Sequence, residues 1–165
     1  MNPEFQFLKS GDVSLRDVLD SDLPIFFENQ CDPDAVRMAA VASRSREAFM
    51  THWAKILGEE DSIIKTILCN HQVAGNIASW RKDGKRYVGY WIGKCYWGQG
   101  IATQALLAYL QEVKERPLYA HVSVDNVASR RVLEKCGFSV CVDATAANTP
   151  EDGIEEVVMI IDVIE

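Results

Sequence analysis

Hydrophobic and polar positions along the chain fall into runs whose spacing predicts its elements before any chemistry is considered. SLRDV (residues 14–18) reads as a short first strand. A helix follows near Asp22–Glu28, where Pro24 is acceptable only in the first turn. DPDAVRMAA, from Asp32, opens another short helix. Ser45 stands at a capping position; behind it Phe49, Trp53, Ile56 and Leu57 share one helical face, and Gly58 suits the exit.

The period then changes. SIIKTILCN (62–70) is β-branched and apolar, His71-Gln72 turns the chain, and VAGNIASWRK (73–82) leads through Asp83-Gly84 into KRYVGYWIG (85–93). Asp-Gly between two strand-like runs is a strong hairpin signal, because both central residues of the tight turn must accept positive φ. Three consecutive antiparallel strands are therefore predicted. A helix over Ile101–Lys114 carries Ala105, Leu106, Tyr109, Leu110 and Val113 along one stripe and stops at Pro117. PLYAHVSV reads as a strand, Asp125-Asn126 opens the helix VASRRVLEKC, Gly137 ends it, and FSVCVDA is the next strand. A polar loop with Pro150 and Gly153 precedes EEVVMIIDV, the last strand. This order predicts an α/β (α+β) fold with a mixed, mostly antiparallel sheet.

Composition narrows the class. The 165 residues are the size of one domain, and 48% hydrophobic with 25% charged residues is ordinary for a soluble protein with a core. A net charge of −7 argues against nucleic acid or an anionic membrane as the main partner. Cys31, Cys69, Cys95, Cys136 and Cys141 are widely spaced and form no CxxC pair, which argues for reduced thiols in the cytoplasm and against a disulfide framework or a zinc site. MNPEFQFLKSGD at the start shows no signal peptide, and no membrane-spanning run is visible.

The candidate chemistry lies in YWGQGIATQAL (96–106). Gly98 and Gly100 let backbone amides approach a ligand, and the helix beginning at Ile101 adds unpaired N–H groups and a positive dipole end. A bare G-x-G is also an ordinary strand-to-helix turn. A Walker A loop needs Gly-Lys-Ser/Thr, which the chain lacks; a dinucleotide fingerprint needs a third glycine where Thr103 stands, and a preceding strand in a parallel sheet.

GYWIGKCYWGQGIATQAL, followed about twenty residues later by DNVASRRVLEKCGF, resembles the GNAT superfamily of acyl-CoA-dependent N-acetyltransferases, in the branch of the RimJ/RimL ribosomal-protein N-terminal acetyltransferases. The likeness is strongest over residues 86–138, and the element order extends it to one domain over residues 1–165. It implies a sheet of six to seven strands splayed between the fourth and fifth, with helices on both faces. It also implies a cofactor-binding turn at Gly98, after which the amides of Gln99, Gly100, Ile101, Ala102 and Thr103 bind the pyrophosphate of acetyl-CoA. Trp97 falls where the family has Arg or Gln. Trp91, Ile92 and Gly93, at the end of the fourth strand, would pair with the pantetheine arm, and an N–H at the splay would polarise the thioester carbonyl. Asn126 matches a family asparagine that bonds the pantetheine region, with Ser129 one turn on; equally, Asn126 caps a helix. Arg130 and Arg131 would meet the cofactor phosphates or simply water.

The expected reaction is direct acetyl transfer to an amine of a small molecule or a protein N-terminus. The family tyrosine that protonates the departing thiolate is replaced by Leu133, which leaves Ser129 as the nearest hydroxyl. The family glutamate on the fourth strand is replaced by Tyr87, a poor base near neutral pH. His121, on the fifth strand, suits proton transfer near pH 7, or faces solvent. Cys136 as an acyl-accepting nucleophile lacks an evident base. A non-catalytic acyl-CoA-binding or sensing domain, and a transferase of another acyl group, are the alternatives. The acceptor's identity stays open, as does the choice between monomer and homodimer.

Overall fold

Alternation and turn chemistry agree best in the central meander, and the sheet is built outward from it. The computed structural model describes residues 11–39, 43–141 and 155–163. Strands β2 (Ile63–Cys69), β3 (Gln72–Lys82) and β4 (Lys85–Ile92) pair antiparallel in succession. Asp83 and Gly84 have φ of 52° and 78°, as the tight hairpin turn requires. The preceding turn falls on Asn70 and His71 (φ 51° and 67°), one residue earlier than His71-Gln72, so Gln72 becomes the first residue of β3. Asn is among the few non-glycine residues that tolerate this conformation, and the Asn70 side chain also accepts the Asp12 N–H at 2.9 Å.

β1 (Val13–Asp17) adds to β2, antiparallel. After a single 3-10 turn (Asp20–Asp22) come helices α1 (Leu23–Cys31), α2 (Pro33–Ala39) and α3 (Arg46–Leu57), the last capped by Ser45 Oγ accepting the Ala48 N–H at 3.2 Å. Beyond β4 follow α4 (Ile101–Glu112), β5 (Leu118–Ser123), α5 (Val127–Lys135), β6 (Ser139–Val140) and β7 (Glu156–Ile161). Among the described residues, the seven strands are ordered β1-β2-β3-β4-β5-β7-β6. The strand expected from Phe138 onward is observed as β6, with the Cys141 N–H still bonded to the Val158 carbonyl at 2.8 Å. Its continuation from Val142 and the loop with Pro150 and Gly153 lie outside the described residues.

Helices cover both faces. On one, Ala105, Leu106 and Tyr109 of α4 and Leu133 of α5 pack on Ile67, Ile77, Val88, Leu118 and Ala120 of the sheet. On the other, Phe26 of α1 with Phe49 and Trp53 of α3 pack on Ile64 and Val73. Burying a side chain such as Leu106 contributes about 1.5–3 kcal/mol, so these two layers fix the sheet firmly. Leu57, expected on the apolar face of α3, is 41% exposed. The apolar stripe of Phe49, Trp53 and the partly buried Ile56 is narrow, and Leu57 lies about 40° beyond Trp53 around the helix, past its edge. α4 ends at Glu112 rather than Lys114; Val113 is already extended yet buried, and its N–H still bonds the Tyr109 carbonyl at 2.8 Å. No helix among the described residues is long and apolar enough to cross a membrane.

The one parallel pairing among the described residues is between β4 and β5, and it is brief. Arg86 pairs with Leu118 and Tyr87 with Tyr119. Past these two, β4 stays paired with β3 as far as Ile92, and β5 stays paired with β7 as far as Ser123.

Asp22 locks the first helix layer to the sheet. Asp22 is 1% exposed, and its carboxylate accepts from both guanidinium nitrogens of Arg16 (2.6 and 2.9 Å), the Thr66 hydroxyl (2.7 Å) and the Leu19 N–H (2.9 Å). Burial alone would raise its pKa, but Arg16 and the two further donors outweigh burial and hold it at about 2. A carboxylate depressed in the folded state adds stability above its unfolded pKa and loses it as pH falls toward the folded value. The gain is about 2 kcal/mol at neutral pH. We expect Asp22→Asn to lower the unfolding temperature at pH 7, and the gap from the parent to narrow between pH 4 and pH 2. A gap unchanged by acid would contradict this role.

Candidate active site

The turn after β4 is shaped by its own backbone bonds. Lys94–Tyr96 form a 3-10 turn, with the Tyr96 N–H on the Gly93 carbonyl (2.9 Å) and the Trp97 N–H on the Lys94 carbonyl (3.1 Å). The Trp97 indole N–H reaches back to the Ile92 carbonyl at 2.9 Å. Trp97, at the motif position that carries Arg or Gln in the family pattern, therefore ties the turn to the end of β4.

Gly98 and Gly100 have φ of 74° and 75°. A Cβ on Gly98 would meet nothing within 4 Å, and one on Gly100 only the Gln104 amide at 3.9 Å. Protein crowding thus does not demand these glycines; the left-handed backbone does, and the space above them is open. Gly100 is the N-cap of α4 and brings no side chain to it. Among the described residues, no hydrogen bond uses the N–H groups of Ile101, Ala102 or Thr103. These three residues carry unpartnered amides at the positive end of α4 and line open space, an arrangement suited to an anion.

That space is a cleft of about 500 Å³. Its walls are Tyr90, Trp91 and Ile92 of β4, Tyr96 to Gly98 and Gly100 of the turn, the first residues of α4, Asn126 to Lys135 of α5 in part, and Ala35, Met38 and Ala39 of α2. A second cavity of about 120 Å³ lies where the strands part, between Val88, Gly89 and Tyr90 of β4 and Ala120–Ser123 of β5. Tyr90, Asn126 and Ser129 line both, so the cleft continues into the slot between the strands.

The structure places the predicted residues unevenly around this space. Trp91, Ile92, Gly98, Gly100, Ile101, Ala102, Thr103, Asn126 and Ser129 line the cleft. Gly93 and Gln99 lie outside its walls. The Gly93 N–H is taken by the Ala74 carbonyl at 2.8 Å, and a Cβ there would strike the Asn29 side chain at 2.8 Å, so this glycine serves the packing of α1. The Gln99 side chain is exposed and donates to the Cys95 carbonyl at 3.1 Å. Asn126 accepts the Ser129 N–H at 3.1 Å through Oδ1, which leaves its Nδ2 as a donor beside the cleft. Arg130 pairs with Glu134 at 3.1 Å, whereas Arg131 lines the cleft. Lys135, one turn beyond Arg131, adds a second cation to the same wall; the four-residue spacing could have identified it.

His121 lines the slot, with Nδ1 3.2 Å from Glu156 Oε2. Its ring stacks on Tyr87 with centroids 4.9 Å apart and planes 17° apart. Tyr87 sits at the joined end of β4 and β5, outside both cavities. Leu133 is buried at the base of the slot and brings no hydroxyl to it. Tyr90 was not singled out in sequence. Strand alternation places it on the face of Val88 and Ile92, and its hydroxyl lies 2.8 Å from Ser129 Oγ. Burial pushes the Tyr90 phenol up to about 12, against the opposing effect of its bond to Ser129.

Residues 12–139 match the family described as the acetyltransferase (GNAT) domain, which covers most of the chain. The chain belongs to this acetyltransferase family. No curated protein sequence matches it. Similar solved structures include the RimL ribosomal L7/L12 α-N-protein acetyltransferase in complex with coenzyme A (TM-score 0.77, 21% identity, 94% of this chain and 96% of the other). The spermidine N-acetyltransferase of Vibrio cholerae with coenzyme A and spermine is also similar (TM-score 0.76, 14% identity, 91% and 95%). So is the aminoglycoside acetyltransferase AAC(6')-Ib with coenzyme A (TM-score 0.75, 18% identity, 92% and 95%).

Cys136 is buried, its thiol donates to the Thr103 carbonyl at 3.6 Å, and burial pushes its pKa up. A protonated, enclosed thiol is a packing group between α5 and α4 and a poor nucleophile. Cys136→Ala should therefore leave kcat within about twofold while costing roughly 1 kcal/mol of stability. Complete loss of turnover in a folded Cys136→Ala protein would restore the nucleophile.

Proposed function

We propose that this protein is an acetyl-CoA-dependent N-acetyltransferase of the RimJ/RimL-like kind, moving acetyl directly to a primary amine. The observation that carries the reading is the junction of two features. A cleft floored by uncapped amides of α4 runs without interruption into the slot where β4 has left β5. A pyrophosphate suits the first and an extended amide-bearing arm suits the second, because unpaired strand edges want backbone-like partners.

In this reading the amides of Ile101, Ala102 and Thr103 hold the pyrophosphate, and Arg131 and Lys135 balance further phosphate charge. Asn126 Nδ2 and the free edge of β4 hold the pantetheine, and a β4 N–H past Tyr87 stabilises the oxyanion. His121, oriented by Glu156 through Nδ1, presents Nε2 to the slot and takes the proton that the amine sheds on attack. The C–S bond then breaks, sulfur keeps the electron pair, and the Ser129 hydroxyl supplies its proton. Tyr87 supports the His121 ring by stacking. Amine acceptors in the proteins of similar fold support the substrate class, and five unpaired cysteines support a reducing, cytoplasmic setting.

Leu133 at the family's tyrosine position favours a second reading, a domain that binds acyl-CoA without turning it over. Thiol release from acetyl-CoA is the discriminating assay, run with a peptide N-terminus, spermidine and an aminoglycoside while coenzyme A affinity is measured on the same sample. We expect amine-dependent release with one class. Tight binding with no release from any of the three would favour the binding domain.

Gly100→Trp should weaken coenzyme A at least about tenfold by filling the space over the amides. Unchanged affinity in a folded variant would refute the assignment of the turn. His121→Gln keeps the ring's approximate size without its basicity, and should lower kcat about 100-fold with little change in the KM for acetyl-CoA. Full turnover would remove His121 from the reaction.

A further inference from the structure

A phenol reaches the slot from the sheet rather than from α5. Tyr90 and Leu133 both line the cavity between the parted strands, one from β4 and one from the helix, with Ser129 beside them. The Tyr90 hydroxyl is 2.8 Å from Ser129 Oγ and 3.3 Å from the Ser129 carbonyl oxygen. Among the described residues, Ser129 Oγ has no other hydrogen-bond partner.

We propose that Tyr90 is a positioning residue for Ser129: its phenol donates to Ser129 Oγ, so that the serine's own proton is left pointing at the sulfur of a thioester in the slot. Each hydroxyl has a single proton to give. If serine donated to the phenol, it would have none for a leaving group. The phenol is the more acidic of the two, and Ser129 Oγ at 2.8 Å is a nearer acceptor for it than the Ser129 carbonyl oxygen at 3.3 Å, so we assign donation from Tyr90 to Ser129 Oγ. As the C–S bond breaks, sulfur retains the electron pair and takes the serine proton. Ser129 Oγ takes the Tyr90 proton, and the phenol recovers one from water; the proton His121 removed from the amine balances the one given to sulfur.

This inference rests on the transferase reading, because it presumes a thioester at that point. Its test is a double-mutant cycle of Tyr90→Phe, Ser129→Ala and the pair, with binding of coenzyme A and desulfo-coenzyme A measured on all four proteins. Phe keeps the ring's packing and removes only the hydroxyl. We expect Tyr90→Phe to lower kcat about tenfold and Ser129→Ala at least as much, with acetyl-CoA KM within about threefold. The pair should be no slower than Ser129→Ala alone, since both act through one proton. Losses that multiply, or a Tyr90→Phe protein at full rate, would overturn the proposal.

The binding comparison needs no acceptor. The parent should prefer coenzyme A to its desulfo analogue, and Tyr90→Phe should shrink that preference about threefold, the phosphate contacts cancelling. The same preference in both proteins would overturn the proposal. A parent that keeps the preference but releases no thiol with any amine would instead sink the transferase reading and leave the hydroxyl pair standing.

Discussion

The feature on which the site depends is the parting of β4 from β5. β5 is committed along its whole length to β7, from Leu118 opposite Ile161 to Ser123 opposite Glu156. β4 is equally committed to β3, from Lys85 opposite Lys82 to Ile92 opposite Gly75. Each is paired along its far edge, and the two facing edges meet in two residue pairs before they part. A buried strand edge without partners is costly, so a gap of this kind is stable only where something can enter and complete it. Everything else in the site is placed with respect to that gap.

Both ends of the gap are finished by helices. At one end the chain leaves β4 through a turn braced by Trp97 and enters α4 with its first amides uncovered. At the other, β5 passes through Asp125 into α5, whose cap residue Asn126 and first-turn Ser129 look into the slot. In the proposed reading, the pattern joins a place for negative charge to a place for an amide-rich arm and then to a pair of hydroxyls and a histidine. Deep packing on the α4 side keeps these parts rigid: Ile101, at the very start of the helix, is 2% exposed, and Leu106 is fully buried. Orientation of this kind supplies much of what direct acyl transfer needs, up to about 7–11 kcal/mol in intramolecular reactions.

Much of the frame was legible because its signals are local. Asp83-Gly84 announces its hairpin by backbone preference alone, and the stripe from Ala105 to Val113 announces α4 by period. The G-x-G turn was legible for the same reason, and its glycines do sit at positive φ. Leu57 was misplaced because a helical stripe has an edge that periodicity does not locate. The reacting end of the site was much less legible. The His121–Glu156 contact joins residues 35 apart through the register of β5 on β7, and Tyr90 meets Ser129 across 39 positions. Such pairs depend on tertiary placement. Alternation along β4 did hold one clue, since it sets Tyr90 with Val88 and Ile92 on the face that α4 and α5 cover. The roles of Gly93 and Gln99 went the other way: both belong to the motif by position, yet one packs on Asn29 and the other turns toward Cys95.

A crystal structure of the protein with coenzyme A tests the central claim most directly. The account predicts diphosphate oxygens within hydrogen-bond distance of the Ile101, Ala102 and Thr103 amides, with the pantetheine lying between β4 and β5 and its sulfur beside Ser129. Coenzyme A bound elsewhere, or β4 and β5 joined beyond Tyr87 with the slot closed, would contradict it.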